Sequence, residues 1–277
     1  MSKVWMITGA SRGLGLAMAR AALAAGDTVV ATARDPGKVT EALGVDGDRL
    51  LACVLDVGVG GHAATAVRDA VERFGRIDVL VNNAGYGQLG YFEDVPVDDI
   101  DRQFRVNVFG SMDVTRAVLP VMRRQRDGHV FTITSIGGLR GSAGASLYCA
   151  TKFALEGWSE GLAAEVGPLG IRVTAVEPGR FRTDFLDASS VRHGSGAIAD
   201  YAQASDQLRA AFDGASHRQA GDPDKLAAAM LKLVEATEPP LHFLAGTDAV
   251  DVLERRIARD RQQLDAWGSL SASTDYA

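Results

Sequence analysis

The segment Thr8-Gly9-Ala10-Ser11-Arg12-Gly13-Leu14-Gly15 joins the short apolar run Val4–Thr8 to the helix-forming residues 16–25, so its glycines fall where a strand turns into a helix. A residue without Cβ tolerates positive φ and lets the backbone approach a ligand, and free N–H groups at a helix start attract anions. The segment therefore predicts a site for the phosphates of a dinucleotide. Its G-x-x-x-G-x-G spacing differs from the commoner G-x-G-x-x-G fingerprint, and a purely structural turn is the alternative.

Short β-branched runs alternate with longer, Ala-rich amphipathic stretches along the rest of the chain, which is typical of βα units. The runs are almost wholly apolar, as expected where both faces of a parallel sheet are covered. The pattern predicts an α/β fold, a three-layer, Rossmann-like, doubly wound parallel sheet of about seven strands. The predicted strands are Val4–Thr8, Thr28–Ala33, 50–55, Val79–Asn82, 129–134, 172–177 and 241–245.

A chain of 277 residues, 47% of them hydrophobic, can bury one large core without a second domain. We expect one domain over residues 1–250, with residues 251–277 forming a C-terminal helix and tail of that domain; the helical pattern there covers 248–264. Residues 98–126 predict one long helix, which Pro120 can kink. Residues 186–221 show no strand pattern and predict an irregular substrate lid, with disorder as the alternative.

Composition excludes several classes of function. The net charge of -6 argues against a nucleic-acid surface, because no excess of cations exists to neutralise phosphates. Two cysteines are too few for a disulfide framework, and the five histidines lack metal-ligand spacing, so we expect a reducing compartment and no metal. No run approaches the roughly 20 apolar residues of a membrane span. We expect a cytoplasmic protein.

The residues after the second predicted strand bear on the choice of cofactor. Folds that prefer NAD usually carry an acidic residue there, which binds the ribose hydroxyls. Here Arg34 follows the strand, and Arg12 of the glycine segment projects toward the same region. Two guanidinium groups suit a phosphate dianion, so the sequence favours NADP(H) over NAD(H). Asp35 is the alternative, as a ribose ligand, if the strand ends one residue later.

Tyr148 and Lys152 are spaced i, i+4 on a predicted helix, so their side chains share one face. A tyrosine with a pKa of about 10 handles protons poorly at neutral pH unless nearby positive charge stabilises the phenolate. Lowering the pKa of Tyr148 by about three units requires about 4 kcal/mol of stabilisation, and the positive charges of Lys152 and an oxidised nicotinamide close by can supply it. The spacing is common by chance, and an exposed lysine beside a packed tyrosine is the alternative.

Further polar residues point to the same edge of the sheet. Ser135 follows the fifth predicted strand and can hydrogen-bond a reacting oxygen, and Asn82-Asn83-Ala84-Gly85 leaves the fourth. Open parallel sheets bind ligands at this carboxyl edge. Asn107 interrupts the long helix with a mediocre helix former, which suggests a functional reason.

Together these motifs resemble the short-chain dehydrogenase/reductase family, and the resemblance covers residues 1 to 250. Residues 83–87 and 177–183 look like the branch of 17β-hydroxysteroid dehydrogenases and their bacterial relatives. The motifs that carry the resemblance are Thr8-Gly9-x-x-x-Gly13-x-Gly15, Asn82-Asn83-Ala84-Gly85, Asn107, Ser135, Tyr148-x-x-x-Lys152 and Pro178-Gly179.

The resemblance implies a catalytic role for four residues. Tyr148 would exchange a proton with the substrate oxygen, and Lys152 would bind the nicotinamide ribose and lower the pKa of Tyr148. Ser135 would orient the substrate oxygen, and Asn107 would hold a water linking Lys152 to solvent. Asp56 would contact adenine and Thr183 the nicotinamide amide. The expected cofactor-binding set is Gly9, Ser11, Arg12, Gly13, Leu14, Gly15, Arg34, Asp56, Val57, Asn83, Ala84, Gly85, Tyr148, Lys152, Pro178, Gly179 and Thr183.

The function predicted from these residues is NADP(H)-dependent hydride transfer to or from a carbonyl or secondary alcohol. The alternatives are a non-catalytic NADP-binding regulator, an NAD-dependent alcohol dehydrogenase and a redox-neutral epimerase or dehydratase. The resemblance implies a homodimer or homotetramer that pairs through the long helix and the Tyr148 helix. Residues expected to line an apolar substrate pocket are Leu139, Leu147, Tyr91, Phe92, Phe185 and Leu186.

Overall fold

The computed structural model describes residues 2–44, 47–187, 190–194 and 198–276. Its centre is a seven-stranded sheet in which every pairing is parallel. The strands are β1 (Val4–Thr8), β2 (Thr28–Ala33), β3 (Leu50–Val54), β4 (Val79–Asn82), β6 (Gly128–Ile133), β7 (Ile171–Pro178) and β9 (His242–Ala245). Strands β5 (Gly87–Leu89) and β8 (Val191–His193) form a separate parallel pair.

The order of the large sheet is β3-β2-β1-β4-β6-β7-β9, so the chain runs outward in opposite directions from β1 and β4. This reversal is the switch point at which doubly wound sheets open a crevice for ligands. The predicted fold is confirmed, and each predicted strand agrees with the observed one to within one residue at either end.

Alternate residues of each strand point to opposite sides of the sheet, and both sets are apolar. Helices therefore cover both faces. Trp5 and Ile7 of β1 pack against one group of helices, whereas Val4 and Met6 pack against the other. The first group comprises α1 (Gly13–Ala24), α2 (Pro36–Leu43) and α8 (Pro223–Glu235), and the second comprises α3 (His62–Phe74), α5 (Gly110–Gln125) and α6 (Ser146–Val166). The remaining helices are α4 (Val97–Phe104), α7 (Ala202–Ala215) and α9 (Thr247–Ala272).

The long helix predicted over 98–126 is present but is divided in the middle. Helix α4 passes into a π-helical turn, Arg105–Phe109, before α5 begins. Pro120 lies inside α5. Short π-helical insertions often occur at functional sites because they re-aim a side chain, and Asn107 lies at the centre of this one.

The prediction of an irregular, strandless segment over 186–221 is wrong. The segment contains β8, a 3-10 turn Ala199–Tyr201 and the 14-residue helix α7. Strand β8 has only three residues and pairs with β5, about a hundred residues earlier, so no local alternation marked it. Residues 188, 189 and 195–197 of the predicted lid lie outside the described residues. Whether the segment acts as a lid stays a prediction.

Helix α9 extends past the predicted 248–264 to Ala272. In the described part of the chain, no helix combines the length and apolar character that crossing a membrane requires.

Candidate active site

The glycine segment after β1 forms a tight loop that leads into α1. Gly9 and Gly13 have φ of 67° and 55°, the left-handed region that favours glycine. A Cβ on Gly15 would lie 2.4 Å from the carbonyl oxygen of Gly9 and 2.6 Å from Nδ2 of Asn83. That amide donates to the carbonyl of Thr8 at 2.9 Å, so the loop after β4 fixes the glycine loop. The small size of these residues allows the close approach that a pyrophosphate site requires.

The loop after β7 reaches the same glycines. A Cβ on Gly13 would lie 3.5 Å from Cβ of Thr183, and the Thr183 hydroxyl accepts a hydrogen bond from the Phe185 amide at 3.2 Å. Gly179 lacks a side chain for a different reason: a Cβ there would overlap Oδ1 of Asp248, at the start of α9. Thr183 is therefore placed beside the proposed phosphate loop.

At the end of β2, the two residues on which the choice of cofactor depends have different surroundings. The strand ends at Ala33 and the Arg34 side chain is exposed. Asp35 is the N-cap of α2, and its Oδ1 accepts from the Gly37 amide at 3.0 Å. Arg12 directly precedes α1. One oxygen of Asp35 is thus used to start a helix, and its availability to ribose is reduced.

Asp56 and Val57 follow β3, as predicted. Oδ1 of Asp56 accepts a hydrogen bond from the Gly58 amide at 2.9 Å, which fixes the carboxylate beside the crevice. Val57 packs closely on α5: a Cβ on Gly110 would lie 2.8 Å from the Val57 carbonyl oxygen.

Ser135, Tyr148 and Lys152 meet at the carboxyl edge of the sheet. Ser135 follows β6, and the early turns of α6 carry Tyr148 and Lys152. The Ser135 side chain lies close enough to the Tyr148 hydroxyl to lower its pKa. Nζ of Lys152 donates to the carbonyl of Ile133 at 2.8 Å and lies 5.7 Å from the centre of the Tyr148 ring. A Cβ on Gly137 would lie 3.1 Å from Cε1 of Tyr148, so glycine is needed for this approach.

Burial dominates the protonation of this pair. It raises the pKa of Tyr148 to about 12, although the Ser135 side chain opposes the rise. Burial also lowers the pKa of Lys152 to about 8, and the negative charge of Glu156 limits that fall. Within the protein alone Tyr148 is a neutral phenol at pH 7. The lowered pKa of Tyr148 stays a prediction for the enzyme with oxidised cofactor bound.

Asn107 connects the long helix to the site. Its Oδ1 accepts from the Tyr86 amide at 3.1 Å, and its Nδ2 donates to the Tyr86 carbonyl at 3.0 Å and to Oγ1 of Thr151 at 3.2 Å. Thr151 in turn donates to the Tyr148 carbonyl at 2.7 Å. The side chain therefore joins the loop after β4 to α6, and the water relay remains a prediction.

Sequence reasoning missed a buried acidic cluster beside the site. Glu156 lies one turn beyond Lys152 on α6, and Nδ1 of His242 lies 3.4 Å from its Oε2 and 2.8 Å from Oε1 of Glu177. Burial, together with the Glu177 charge, raises the pKa of Glu156 to about 7. A Cβ on Gly138 would lie 2.8 Å from Oε1 of Glu156. The i, i+4 spacing from Lys152 was the only signal available in the sequence.

Two groups of three possible metal ligands occur within the residues that the structure describes. They are Glu156, Glu177 and His242, and Asp184, Asp187 and His217. Hydrogen bonds and ion pairs within each group account for their proximity. That the protein uses no metal stays a prediction.

The six residues expected to line a substrate pocket have different surroundings in the structure. The ring of Phe185 lies 5.7 Å from that of Tyr148, and the Phe185 side chain is 37% exposed. Leu139 and Leu147 are buried. Tyr91 stacks on Tyr201 next to α7, with 4.6 Å between ring centres. Leu186 packs in a small apolar cluster, whereas Phe92 is largely exposed, so Phe185 is the predicted pocket residue whose ring contacts that of Tyr148.

A doubly wound sheet, a glycine loop after its first strand, and a serine, tyrosine and lysine at the carboxyl edge define a nicotinamide-dependent oxidoreductase. The family model described as short chain dehydrogenase matches residues 3–193. The chain belongs to the short-chain dehydrogenase/reductase family and is an oxidoreductase.

Relatives support this membership along the whole chain. Oxidoreductase BOA17 of Botryotinia fuckeliana is 39% identical over 99% of this chain and 100% of its own. A 3-ketodihydrosphingosine reductase of Bacteroides thetaiotaomicron is 36% identical, with 88% of each chain covered.

Two solved structures extend the comparison. A short-chain dehydrogenase from Streptomyces avermitilis is 42% identical over all of both chains, with a TM-score of 0.92. A 3-ketoacyl-(acyl-carrier-protein) reductase from Brucella melitensis, complexed with NADH, is 26% identical over 87% of this chain and 96% of its own, with a TM-score of 0.71. The likeness to the 17β-hydroxysteroid dehydrogenase branch stays a prediction.

Proposed function

We propose that this oxidoreductase transfers a hydride between NADP(H) and a carbonyl or secondary alcohol of an apolar substrate. The observation that carries the proposal is that Lys152 lies 5.7 Å from the centre of the Tyr148 ring, at the same edge of the sheet as Ser135, whose side chain influences the pKa of Tyr148. The hydroxyls of Ser135 and Tyr148 can both turn to one substrate oxygen. Asn107 supports the arrangement by joining two of its elements.

Each residue then has a separate task. Bound nicotinamide supplies or accepts the hydride. Ser135 orients the substrate oxygen through its hydroxyl, and Tyr148 donates the proton in reduction and accepts it in oxidation. Lys152 stays close enough to stabilise the phenolate and binds the ribose. The carbonyl of Ile133 holds Lys152 in place, so the ammonium need not be ordered during turnover.

The same loops provide the cofactor-binding set. Gly9, Ser11, Gly13, Leu14 and Gly15 would hold the pyrophosphate. Farther along the crevice, the adenine, ribose and nicotinamide would be bound by Asp56, Val57, Asn83, Ala84, Gly85, Pro178, Gly179 and Thr183. The approach of Thr183 to Gly13 supports this grouping, because it brings the loop after β7 to the phosphate loop.

NADP(H) is the cofactor that this surface favours. Arg34 is exposed at the end of β2, and Arg12 lies at the start of α1. Asp35, the acidic alternative, caps α2. A dianionic 2′-phosphate gains two charge-assisted partners here, whereas a ribose 2′-hydroxyl gains less. Because the reductase from Brucella melitensis was solved with NADH, NADH is the cofactor with which NADPH should be compared.

The substrate is proposed to be an apolar, moderately bulky ketone or the matching alcohol. Phe185 beside Tyr148 supports an apolar reaction site, and we propose that the segment 186–221, whose described part includes β8 and α7, covers it as a lid. The ketodihydrosphingosine reductase among the relatives acts, by its name, on a ketone with a long apolar chain. A homodimer or homotetramer pairing through α5 and α6 is supported by exposed Phe109, directly before α5, and exposed Phe153 on α6. We also propose a cytoplasmic location.

The decisive experiment follows the absorbance of NADPH and NADH with a panel of steroid, aromatic and aliphatic ketones. The comparison protein is Tyr148→Phe, which keeps the ring but lacks the proton. We expect NADPH oxidation that falls by a factor of about 10² to 10⁴ in Tyr148→Phe, while NADPH binding, followed by fluorescence, is unchanged. Equal turnover by Tyr148→Phe would contradict the mechanism. Binding of NADPH without turnover of any ketone would favour a regulator, and substrate conversion without net cofactor oxidation would favour redox-neutral chemistry.

A further inference from the structure

Among the residues that the structure describes, helix α9 is buried against other elements only near its beginning. Its 26 residues span about 39 Å. Ala249 and Val252 are buried, and the Arg256 guanidinium lies 5.4 Å from the centre of the Phe153 ring. Every described residue from 257 to 276 except Gly268 is exposed. The last four turns of the helix therefore project from the described part of the molecule.

The projecting part carries a line of large apolar side chains, here called the α9 stripe. Val250, Ile257 and Leu264 follow one another at seven-residue steps, and Trp267 lies three residues farther on. This is the heptad spacing of helices that pack on another helix. Monomeric proteins rarely expose so many large apolar groups on one surface. The stripe consists of Val250 (42% exposed), Ile257 (60%), Leu264 (59%) and Trp267 (63%), and Leu270 (61%) lies about a third of a turn round the helix from Leu264.

The stripe continues a face that the chain buries elsewhere. Eighteen residues of an α-helix make about five whole turns, so residues that far apart point the same way. Ala249 is fully buried, yet Trp267, eighteen residues later, is 63% exposed; Val252 and Leu270 form a second such pair. The body of the protein covers this face at the start of α9, and no described part of the chain covers it at the end.

Charge along α9 indicates what covers the stripe. Residues 251–272 contain four acidic residues (251, 254, 260 and 265) and four arginines (255, 256, 259 and 261), a net charge of zero. An anionic membrane surface selects helices whose polar face is rich in lysine and arginine, which this one is not. Asp260, near the middle of the stripe, already pairs with Arg256 and Arg259 of its own helix. Two such helices can therefore approach without net repulsion.

The outer heptad positions are also self-complementary, whereas the two central layers bring Ile257 opposite Asp260, whose charge Arg256 and Arg259 of its own helix balance. If two α9 helices run antiparallel so that Val250 of one packs on Trp267 of the other, Leu253 packs on Leu264 in the same register. Glu254 then faces Arg261 of the second copy, and the twofold axis repeats that pair. A contact that uses the same surface on both molecules closes on itself as a dimer.

We propose that a second copy of the chain covers the α9 stripe, with the two α9 helices antiparallel about a twofold axis near residues 258 and 259. This interface is separate from the α5 and α6 surface. It does not depend on the proposed cofactor or substrate.

Light scattering on the full chain tests the interface. The stripe variant is Ile257→Ser, Leu264→Ser and Trp267→Ser. Its control, Arg255→Ser, Ala258→Ser and Gln262→Ser, changes the opposite side of the same helix. At micromolar concentration we expect wild type and control to have the mass of an even oligomer and the stripe variant half that mass, with unchanged circular dichroism. A monomeric wild type, or a stripe variant with the wild-type mass, would overturn the proposal.

Charge exchange tests the antiparallel register and does not remove apolar side chains. Glu254→Arg and Arg261→Glu, made singly, should each weaken association by about tenfold or more, and the double variant should restore it. No recovery in the double variant would overturn the register. Wild-type protein that sediments with lipid vesicles while the stripe variant does not would assign the stripe to a membrane and overturn the proposal of a second copy.

Discussion

Nδ1 of His242 in β9 lies 2.8 Å from Oε1 of Glu177 in the neighbouring strand β7. The hydrogen bond and the charge of Glu177 raise the pKa of His242, although burial alone would lower it. Glu156, packed against the same imidazole, has its pKa raised to about 7 by burial. Both groups therefore hold protons more tightly in the folded protein than in the unfolded chain.

Stability should accordingly fall as pH rises through this cluster. A carboxyl whose pKa rises on folding favours the folded state at low pH and loses that contribution between its unfolded pKa, near 4.5, and its folded pKa, near 7. We expect Glu156→Gln to flatten the dependence of melting temperature on pH between pH 5 and 8, a difference of roughly 1–3 kcal/mol in the free energy of unfolding. Glu165→Gln, at an exposed position farther along α6, is the matched control. Parallel pH curves for Glu156→Gln and wild type would refute the assignment.

The charge of Lys152 should set the alkaline limit of activity. Its pKa of about 8 means that the ammonium loses its proton as pH rises through 8, and stabilisation of the phenolate is lost with it. We expect kcat/KM for ketone reduction to fall above pH 8. Glu156→Gln should move that fall to lower pH, because the Glu156 charge raises the pKa of Lys152. A pH profile that stays flat to pH 10 would show that the charge is not needed.

Gly15→Ala should damage the phosphate loop. The new Cβ would lie 2.4 Å from the Gly9 carbonyl oxygen, a contact with backbone that no rotation relieves. We expect a loss of about 1–3 kcal/mol in stability and at least tenfold weaker NADPH binding by fluorescence titration. Gly161→Ala is the control, because this exposed position on α6 has open space around it and alanine favours helix. Equal behaviour of the two variants would contradict the role of the loop.

Arg34→Ala should change the choice between cofactors. Loss of one guanidinium partner of a 2′-phosphate is expected to lower kcat/KM with NADPH about tenfold and to leave the NADH value nearly unchanged. Arg124→Ala removes the same charge from the end of α5, far along the chain from β2, and should leave the ratio as in wild type. If Arg34→Ala keeps the wild-type ratio, the assignment of NADP(H) fails.

Local sequence patterns were enough to predict the sheet and much of the proposed catalytic site. Apolar runs are a local signal, and each predicted strand was correct to within one residue. The i, i+4 spacing of Tyr148 and Lys152 needs only a helix to bring the pair together, and the structure provides it in α6. The glycines after Val4–Thr8 indicated a strand-to-helix turn for the same reason: their conformational freedom is a property of the residue.

Features formed by residues that are distant in the chain became visible only once the chain was folded. The pairing of β5 with β8, the π-helical turn at Asn107, and the meeting of Glu156, Glu177 and His242 each depend on how separate elements pack. Gly179 is required by Asp248, a residue nearly seventy positions later. Periodicity and spacing describe one element at a time, whereas burial and charge coupling arise only when elements meet, so these features left no local pattern to detect.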